Sequence, residues 1–173
     1  EIGSLINLEI LGLNNNQLSG EIPSSIWMIE GLQGLYLSEN NLTGELSSEI
    51  GNLVNLGELL IGGNNFFGEI PDELGNLVNL NVIYLYGNQF SGQIPNNLCN
   101  LENIVWTDII PPPDENYSYI LNNQFCPPYP SCIEDYLGEQ DTSNCIEYQL
   151  GDINMDETID ILDIILGISI ILG

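Results

Sequence analysis

The sequence predicts an α/β solenoid in which short parallel strands stack on one side and extended segments form an outer wall. Two observations predict this fold. An asparagine recurs every 24 residues, at Asn16, Asn40, Asn64 and Asn88, and the same apolar and glycine positions recur around each of them. One segment of this length cannot bury its apolar side alone, whereas a stack of such segments encloses a continuous core.

The elements of one repeat follow from its residue types. Alternating apolar residues such as Leu35 and Leu37 point to the same side of a short strand. The asparagine at the end of the strand satisfies buried backbone groups as the chain turns inward. A glycine four residues later permits a turn, and an Ile-Pro pair such as Ile70-Pro71 suits an extended outer segment.

The frame LxxLxLxxNxLxGxIPxxLGxL resembles the leucine-rich repeat family, in its 24-residue plant-specific subtype, over residues 1–104. The resemblance implies a curved solenoid with a parallel sheet on the concave face and 3₁₀ or polyproline-like segments on the convex face. We therefore expect one buried asparagine ladder, with each side chain bonded to neighbouring backbone. Its members are Asn16, Asn40, Asn64, Asn88 and Asn123.

The periodicity is interrupted after the fourth repeat. The next asparagine is due at position 112, where the sequence reads Pro111-Pro112-Pro113, and the frame resumes at Ile120 and Asn123. The interval from Asn88 to Asn123 is 35 residues, which is one repeat plus an 11-residue insertion. We expect a solenoid over residues 1–133, with a surface loop at about 107–117 and Trp106 at its base.

Four cysteines lie at the end of the repeats or just after them, at Cys99, Cys126, Cys132 and Cys145. This placement indicates a disulfide-stapled cap formed in an oxidising compartment, and three connectivities are open. A polyproline-like run between Cys126 and Cys132 would hold them ~18 Å apart, beyond the ~7 Å that a disulfide allows. Cys132 also aligns close to Cys99 of the preceding repeat, so the spacing favours Cys99–Cys132 with Cys126–Cys145.

The C-terminal part is rich in acidic residues. We expect a disulfide-tied acidic linker over residues 134–151, followed by a calcium loop and a short helix over residues 152–173. Oxygen donors fall at positions 1, 3, 5, 7, 9 and 12 of residues 152–163, and calcium takes six to eight oxygens from such a loop. The donors are Asp152, Asn154, Asp156, Thr158, Asp160 and Asp163.

This loop resembles one repeat of a type I dockerin, which ends in Asp. The resemblance makes Asp152, Asn154, Asp156 and Asp163 side-chain ligands, adds the Thr158 carbonyl, and gives Asp160 a ligand role through water. Two features depart from the family. Glu157 stands where the family has glycine, and no second repeat follows. An acidic linker without calcium is the alternative.

The charge balance excludes several function classes. The chain has 25 Asp and Glu residues and no Lys, Arg or His, giving a net charge of −25. Without cations it offers no surface that neutralises phosphates, so we expect no nucleic-acid partner. The residues for Ser-His catalysis and for phosphoryl-transfer clamps are missing, and we expect no enzyme. No apolar run is long enough to span a membrane.

Three functions are compatible with this pattern. The first is a secreted binding or adhesion module that holds a protein or glycan on the concave face, where Tyr36, Tyr84 and Tyr86 are the candidate contact residues. These tyrosines would otherwise simply support the sheet. The second function is self-assembly into an extracellular filament or surface layer. The third is an enzyme or an enzyme's accessory module; no pair of carboxylates stands out for glycoside hydrolysis, which leaves the accessory module.

Two tripeptides match the acceptor pattern for N-glycosylation, Asn41-Leu42-Thr43 and Asn116-Tyr117-Ser118. Asn41 follows an asparagine of the expected ladder, and Asn116 lies in the expected loop. Both positions are therefore expected at the surface. Together with the cysteines, they favour an extracellular or cell-surface location.

Overall fold

The computed structural model describes residues 2–108 and 116–145, which contain three parallel sheets, two long ones and one of two strands. The first sheet lines the concave side and has the order β1-β3-β5-β7. Equivalent residues of successive repeats pair in it, as in Leu35 with Leu59 and Leu59 with Ile83. Each regular repeat predicted from the sequence thus contributes one strand to this sheet. The strands are β1 (Ile10–Gly12), β3 (Gly34–Tyr36), β5 (Glu58–Leu60) and β7 (Val82–Tyr84).

A second parallel sheet follows the asparagines, in the order β11-β8-β6-β4-β2. The sequence did not predict this sheet, because its residues include a turn-forming glycine in each of the four regular repeats. After each regular strand of this sheet a short extended segment leads to the convex side, where Pro71 has polyproline-like angles of φ −69° and ψ 141°. The strands are β2 (Ser19–Gly20), β4 (Asn41–Glu45), β6 (Asn65–Gly68), β8 (Gln89–Gln93) and β11 (Gln124–Cys126).

Short 3₁₀ turns complete each repeat on the convex side. A proline or serine with extended angles precedes each of the four regular turns, and the residue after each turn donates its backbone N–H three residues back. Within residues 2–108 and 116–145 the helical elements are all of this short kind. They are Ile2–Ser4, Ser24–Met28, Ser48–Asn52, Asp72–Asn76, Asn96–Asn100 and Glu134–Tyr136.

The core consists of columns that run through the stack, each built from one position of the repeat. Phe66, Phe90 and Phe125 form one such column, with ring centroids 6.2 Å and 6.4 Å apart and ring planes 10° from parallel. All three are fully buried. The stacking buries apolar surface that a single repeat would leave in water.

The asparagine ladder connects the repeats from inside. Asn64 donates from Nδ2 to the carbonyls of Ile61 in its own turn and Leu37 in the turn before, and its Oδ1 accepts from the N–H of Leu42. Asn40, Asn88 and Asn123 repeat this pattern and are buried. Each asparagine therefore satisfies backbone groups of two turns at once.

Asn16 departs from the expected ladder because it is exposed rather than buried. Its Nδ2 donates to the carbonyls of Leu13 and Asn14 in its own turn. Within the described residues no regular turn is stacked on that side of Asn16, so its side chain is open to water.

Gln140 adds a rung that the sequence did not predict. Its Oε1 accepts from the N–H of Phe125 at 3.4 Å, and its Nε2 donates to the carbonyls of Ile120 and Leu137. These are the bonds that an asparagine makes in the regular turns. The expected acidic linker over 134–151 is therefore wrong for residues 134–140, which form a shortened sixth turn; residues 146–151 lie outside the described part of the chain.

The insertion changes the strand order of the concave side. β10 (Tyr117–Ser118) lies between β7 and β9 (Val105–Trp106), bridging to β7 through Tyr84 and Tyr119. Ser118 takes a buried leucine position, and its hydroxyl accepts a 2.8 Å hydrogen bond from the N–H of Ile83. β10 therefore occupies the position beside β7, and β9, which comes first in the sequence, is one strand further away.

The expected surface loop at 107–117 is too long at both ends. Trp106 is buried as expected, but Thr107 is also buried and donates its N–H to the carbonyl of Ser118. Tyr117 belongs to β10. Residues 109–115 lie outside the described residues.

Two disulfides hold the end of the stack, Cys99–Cys132 and Cys126–Cys145, with Cα atoms 5.7 Å and 5.4 Å apart. This is the pairing that the spacing favours. The first joins the 3₁₀ turn of the fourth repeat to the following turn, and the second joins β11 to the segment after Gln140. The Pro127–Pro128 peptide bond, between Cys126 and Cys132, is cis.

Candidate functional site

The concave sheet presents a stripe of aromatic and apolar side chains on neighbouring strands. Tyr36, Leu60 and Tyr84 occupy the same outward position of β3, β5 and β7 and pair directly across the sheet. All three are partly exposed. Since neighbouring strands are ~4.8 Å apart, the side chains form a continuous surface. We call Tyr36, Leu60, Tyr84 and the adjacent Tyr86 the tyrosine face.

Tyr86 reaches across a whole turn of the solenoid. Its hydroxyl donates a 2.7 Å hydrogen bond to Oε1 of Glu39, which lies two repeats earlier. The turn between them carries Gly62, and a Cβ added there would overlap the Tyr86 ring. Glycine at position 62 thus lets the ring lie against the backbone, which fixes its orientation.

Tyr119 supports the tyrosine face from the side. Its ring centroid lies 4.5 Å from that of Tyr84 and 4.7 Å from that of Tyr86, and it is only 7% exposed. Tyr84 and Tyr86 also meet edge to face, with centroids 6.1 Å apart. Aromatic pairs at such distances attract each other beyond the area they bury, so the three rings hold one another in place.

Two carboxylates border the tyrosine face. Glu39 accepts the hydrogen bond from Tyr86, and Glu58 is the carboxylate that acts on Tyr36. Burial, followed by these carboxylates, raises the pKa of both tyrosines above the ordinary value. Burial also raises the pKa of Tyr119 to about 12, with Tyr84 contributing. The hydroxyls therefore stay protonated at physiological pH and act as donors, while the surrounding charge is negative.

The backbone at Glu39 has a positive φ of 58°. The equivalent positions in the neighbouring repeats are Asn15, Gly63 and Gly87, which have φ values of 55°, 63° and 61°. Glycine and asparagine adopt this left-handed conformation more readily than glutamate. Glu39 is thus held in an unfavourable conformation at the edge of the tyrosine face.

A wide groove of about 950 Å³ runs along the second sheet, away from the tyrosine face. Its walls repeat the same positions of three successive turns, as in Glu45 with Glu69 and Ile70 with Ile94. The groove follows from the repeat itself. It contains exposed carboxylates but none of the aromatic contacts described above.

The other predicted site residues divide between the described and the remaining parts of the chain. Asn41, at the start of β4, and Asn116, before β10, are both exposed. Among the described residues no cluster of His, Cys, Asp or Glu has the geometry of a metal site. The expected calcium ligands, Asp152, Asn154, Asp156, Thr158, Asp160 and Asp163, lie outside the described residues, and calcium stays a prediction.

A family model described as Leucine Rich Repeat matches residues 7–29, 31–53, 55–77 and 79–101, which together are more than half of the chain. The chain belongs to the leucine-rich repeat family. The matched segments are the four regular turns, and both the interrupted fifth turn and the turn closed by Gln140 follow them. No curated protein matches the sequence.

Similar solved structures of leucine-rich repeats come from Arabidopsis thaliana. The receptor kinase HAESA, solved with the peptide hormone IDA and the co-receptor SERK1, is 38% identical with a TM-score of 0.61, over 73% of this chain and 19% of that chain. The BIR2 ectodomain is 28% identical with a TM-score of 0.64, over 76% of this chain and 66% of that chain.

A third similar structure is the ectodomain of the receptor kinase GASSHO1/SCHENGEN3 with CASPARIAN STRIP INTEGRITY FACTOR 2. It is 30% identical with a TM-score of 0.63, over 72% of this chain and 14% of that chain. The chain therefore spans less than a fifth of GASSHO1/SCHENGEN3 and of HAESA. No helix within residues 2–108 and 116–145 has the length and apolar character needed to cross a membrane.

Sequence reasoning placed Tyr36, Tyr84 and Tyr86 on this leucine-rich repeat surface but missed Tyr119 and Glu39. Tyr119 follows Tyr84 by 35 residues, the same interval that separates Asn88 from Asn123. That interval is the signal that could have found it. Glu39 has no equivalent signal, because its contact with Tyr86 depends on how one side chain crosses an intervening turn.

Proposed function

We propose that this leucine-rich repeat segment is a non-catalytic, extracellular binding or adhesion module that holds a protein or peptide on its tyrosine face. The observation that carries the proposal is the stripe of Tyr36, Leu60 and Tyr84 on adjacent strands, with Tyr86 fixed beside it. Tyrosine supplies large amphipathic contact area and is enriched in protein interfaces.

The rigidity of the surface supports the proposal. Tyr86 is held by Glu39 at one end and by the backbone of Gly62 beneath its ring, and Tyr119 fills the space beside it. A preorganised surface loses less conformational entropy when a ligand binds. Aromatic residues that only supported the sheet would need neither the exposure of Tyr84 nor the bond across a turn.

The similar structures give a second line of support. HAESA and GASSHO1/SCHENGEN3 were both solved with partners, a peptide hormone with a co-receptor in one case and CASPARIAN STRIP INTEGRITY FACTOR 2 in the other. An extracellular location is supported by the two disulfides, since these persist in oxidising compartments. A catalytic role gains no support, because the chain has no Lys, Arg or His.

The test is selection from a displayed library of random 12-residue peptides on the immobilised full chain. Tyr84→Ser with Tyr86→Ser removes the face, and Phe67→Ser is the matched control because Phe67 is an exposed aromatic residue, 44% accessible, on β6 of the other sheet. We expect clones that bind the wild type and the Phe67 variant but not the tyrosine variant. Without such clones, the binding proposal fails.

A glycan is the other ligand class for this surface, since sugar rings also pack on exposed tyrosines. An oligosaccharide array probed with the same three proteins distinguishes the two classes. Glycan binding that requires Tyr84 and Tyr86, with no peptide doing so, would keep the module and change its ligand.

Self-assembly into an extracellular filament or surface layer is the second candidate function. One observation favours it: a cavity of about 240 Å³ at the β1 end of the stack is lined by apolar residues, including Leu13, Leu18 and Ile22. Stacking of another copy would bury this surface. Analytical ultracentrifugation decides the matter, because a single monomeric species at all concentrations excludes assembly.

We also propose that residues 152–163 bind calcium and order the C-terminal segment in the manner of half a dockerin. The spacing of four aspartates supports this proposal: Asp152, Asp156, Asp160 and Asp163. Four aspartates in one loop repel each other, and a divalent ion reverses that interaction.

A further inference from the structure

We infer that the ligand on the tyrosine face is a basic peptide segment, with an arginine or lysine side chain seated on Tyr84 and Tyr86 beside Glu39, and with Glu58 on β5 of the same sheet. This inference rests on the proposed binding function and names the chemistry of the ligand. It follows from three properties of the surface: its uncompensated charge, its fixed aromatic faces and the placement of its carboxylates.

The charge of the tyrosine face requires a partner from outside. Glu39 is exposed and Glu58 is partly exposed, and both lie at the border of the face. The chain has no Lys, Arg or His anywhere in its 173 residues. No side chain of the protein therefore neutralises these carboxylates, and a cationic ligand gains their attraction without displacing an internal partner.

The aromatic rings offer the second half of a cation site. The face of a tyrosine ring attracts a cation within ~6 Å of its centroid, and arginine makes such contacts most often. Tyr86 cannot turn its ring freely, since Gly62 supports one side and Glu39 holds the hydroxyl. Tyr119 stacks on the same ring, so a guanidinium packs on the part of Tyr84 and Tyr86 that remains exposed. There it meets the carboxylate of Glu39 beside the Tyr86 hydroxyl, which matches the stacking and forked hydrogen bonding of arginine.

The carboxylate of Glu39 has bonding capacity beyond the bond to Tyr86. Oε1 accepts the tyrosine hydroxyl, and a carboxylate has two oxygens with about four acceptor positions in total. The raised pKa of Tyr86 keeps its hydroxyl protonated, so the residue remains a donor to Glu39 and not a second negative charge. One anion thus serves both the tyrosine and a cationic ligand.

The backbone of Glu39 gives independent support. Glutamate occupies a left-handed position where Asn15, Gly63 and Gly87 stand in the neighbouring turns. Unfavourable backbone conformations concentrate at functional sites. The carboxylate here is held next to the tyrosines although asparagine or glycine would fit the backbone better.

The test uses the sequences of the peptides that are recovered in the library selection described above. We expect the clones that depend on Tyr84 and Tyr86 to be enriched in arginine and lysine over the unselected library. In the best of these peptides, replacing each arginine by uncharged citrulline should weaken binding about tenfold in fluorescence anisotropy at 150 mM salt.

Matched charge variants separate a built site from general attraction to an acidic protein. Glu39→Gln with Glu58→Gln should weaken binding of the arginine peptide about tenfold. Glu45→Gln with Glu69→Gln removes the same charge from exposed positions next to the second sheet and should change it less than about twofold. Equal losses in both double variants would overturn the inference in favour of diffuse attraction.

The remaining outcomes distinguish failure of this inference from failure of the proposed binding function on which it rests. Clones that need the tyrosines but are neutral or acidic would leave the binding function standing and refute a basic ligand. Citrulline peptides that bind as tightly as arginine peptides would do the same. If no clone needs Tyr84 and Tyr86, both proposals fail together.

Discussion

The hydroxyl of Tyr86 bonds to Glu39 across 47 residues of sequence, at a distance of 2.7 Å. The contact joins the fourth turn of the solenoid to the second, whereas backbone hydrogen bonds join only adjacent turns. It passes over Gly62, where any side chain would overlap the ring. The tyrosine face is therefore fixed by three turns acting together.

Gly62→Ala tests this arrangement without changing any charge. The added Cβ would overlap the Tyr86 ring, so the ring must move and its bond to Glu39 breaks. We expect a loss of about 1–2 kcal/mol in the free energy of unfolding, measured with urea. Peptides selected on the wild type should also bind more weakly.

Gly12→Ala is the matched control for this substitution. A Cβ added to Gly12 would lie 3.7 Å from the Tyr36 ring, which is an ordinary contact. A loss of stability at Gly12 as large as that at Gly62 would show that the effect comes from the strand backbone and not from Tyr86.

Asn64→Leu should destabilise the solenoid by about 1–3 kcal/mol. The substitution leaves the N–H of Leu42 without its acceptor in the core. The carbonyls of Leu37 and Ile61 each lose one of two amide donors, since Asn40 and Asn88 still donate to them. Asn16→Leu, at the exposed rung, should cost less than about 1 kcal/mol. Urea unfolding of both variants checks the difference, and similar losses would contradict the role of the ladder.

All four cysteines should be oxidised in protein purified without reductant, so thiol titration under denaturing conditions should detect none. Removing Cys99–Cys132 by two serines should cost about 3–4 kcal/mol, because the bond closes a long loop in the unfolded chain. Removing Cys126–Cys145 should cost slightly less, since its loop is shorter. Two or four free thiols in the native protein would refute the stapled cap.

Stability should fall at alkaline pH in a defined window. An unfolded tyrosine ionises near pH 10, while burial raises the pKa of Tyr119 to about 12 and that of Tyr86 further. The folded state holds these protons longer than the unfolded state. The contribution of these tyrosines to the free energy of unfolding is therefore complete below about pH 10 and is lost as the pH rises towards about 12.

Absorbance at the tyrosinate band measures this titration directly. We expect a late phase above the main one, and Tyr86→Phe should reduce its amplitude. One phase near pH 10 for all eight tyrosines would contradict the burial of this cluster.

Calcium should bind at residues 152–163 in chelator-treated protein, as measured by calorimetric titration. Asp152→Ala and Asp163→Ala should abolish binding, whereas Glu134→Ala, an exposed acid in the shortened turn, should not affect it. Glu157→Gly should tighten the site by about fivefold, since a left-handed residue costs a non-glycine side chain about 1 kcal/mol. Absence of binding at millimolar calcium would leave this segment as an acidic linker.

Periodicity explains which features the sequence predicted. Asn40, Asn64 and Asn88 occupy one position of a regular repeat, so their shared burial follows from the frame alone. The cysteine pairing also follows from the frame, because Cys132 falls close to Cys99 when the fifth repeat is aligned with the fourth. Where the frame holds, spacing is sufficient to place a residue.

Features that break the frame were not predictable from spacing. Gln140 follows Asn123 by only 17 residues and has one methylene more than asparagine, so its equivalence depends on the backbone path of the shortened turn. The displaced strand β9 depends on which of two segments pairs with β7. Glu39 and Tyr86 meet only because of side-chain conformations across Gly62.

The position of the two disulfides gives the solenoid a mechanical polarity. Adjacent turns hold each other through rows of hydrogen bonds and shared core columns, while the covalent bonds lie only at the Cys145 end. Tension applied along the stack would separate the turns before Cys99 from one another. The distance from Cys99 to Cys132 cannot lengthen under the same load, so extension is confined to the turns outside the disulfides.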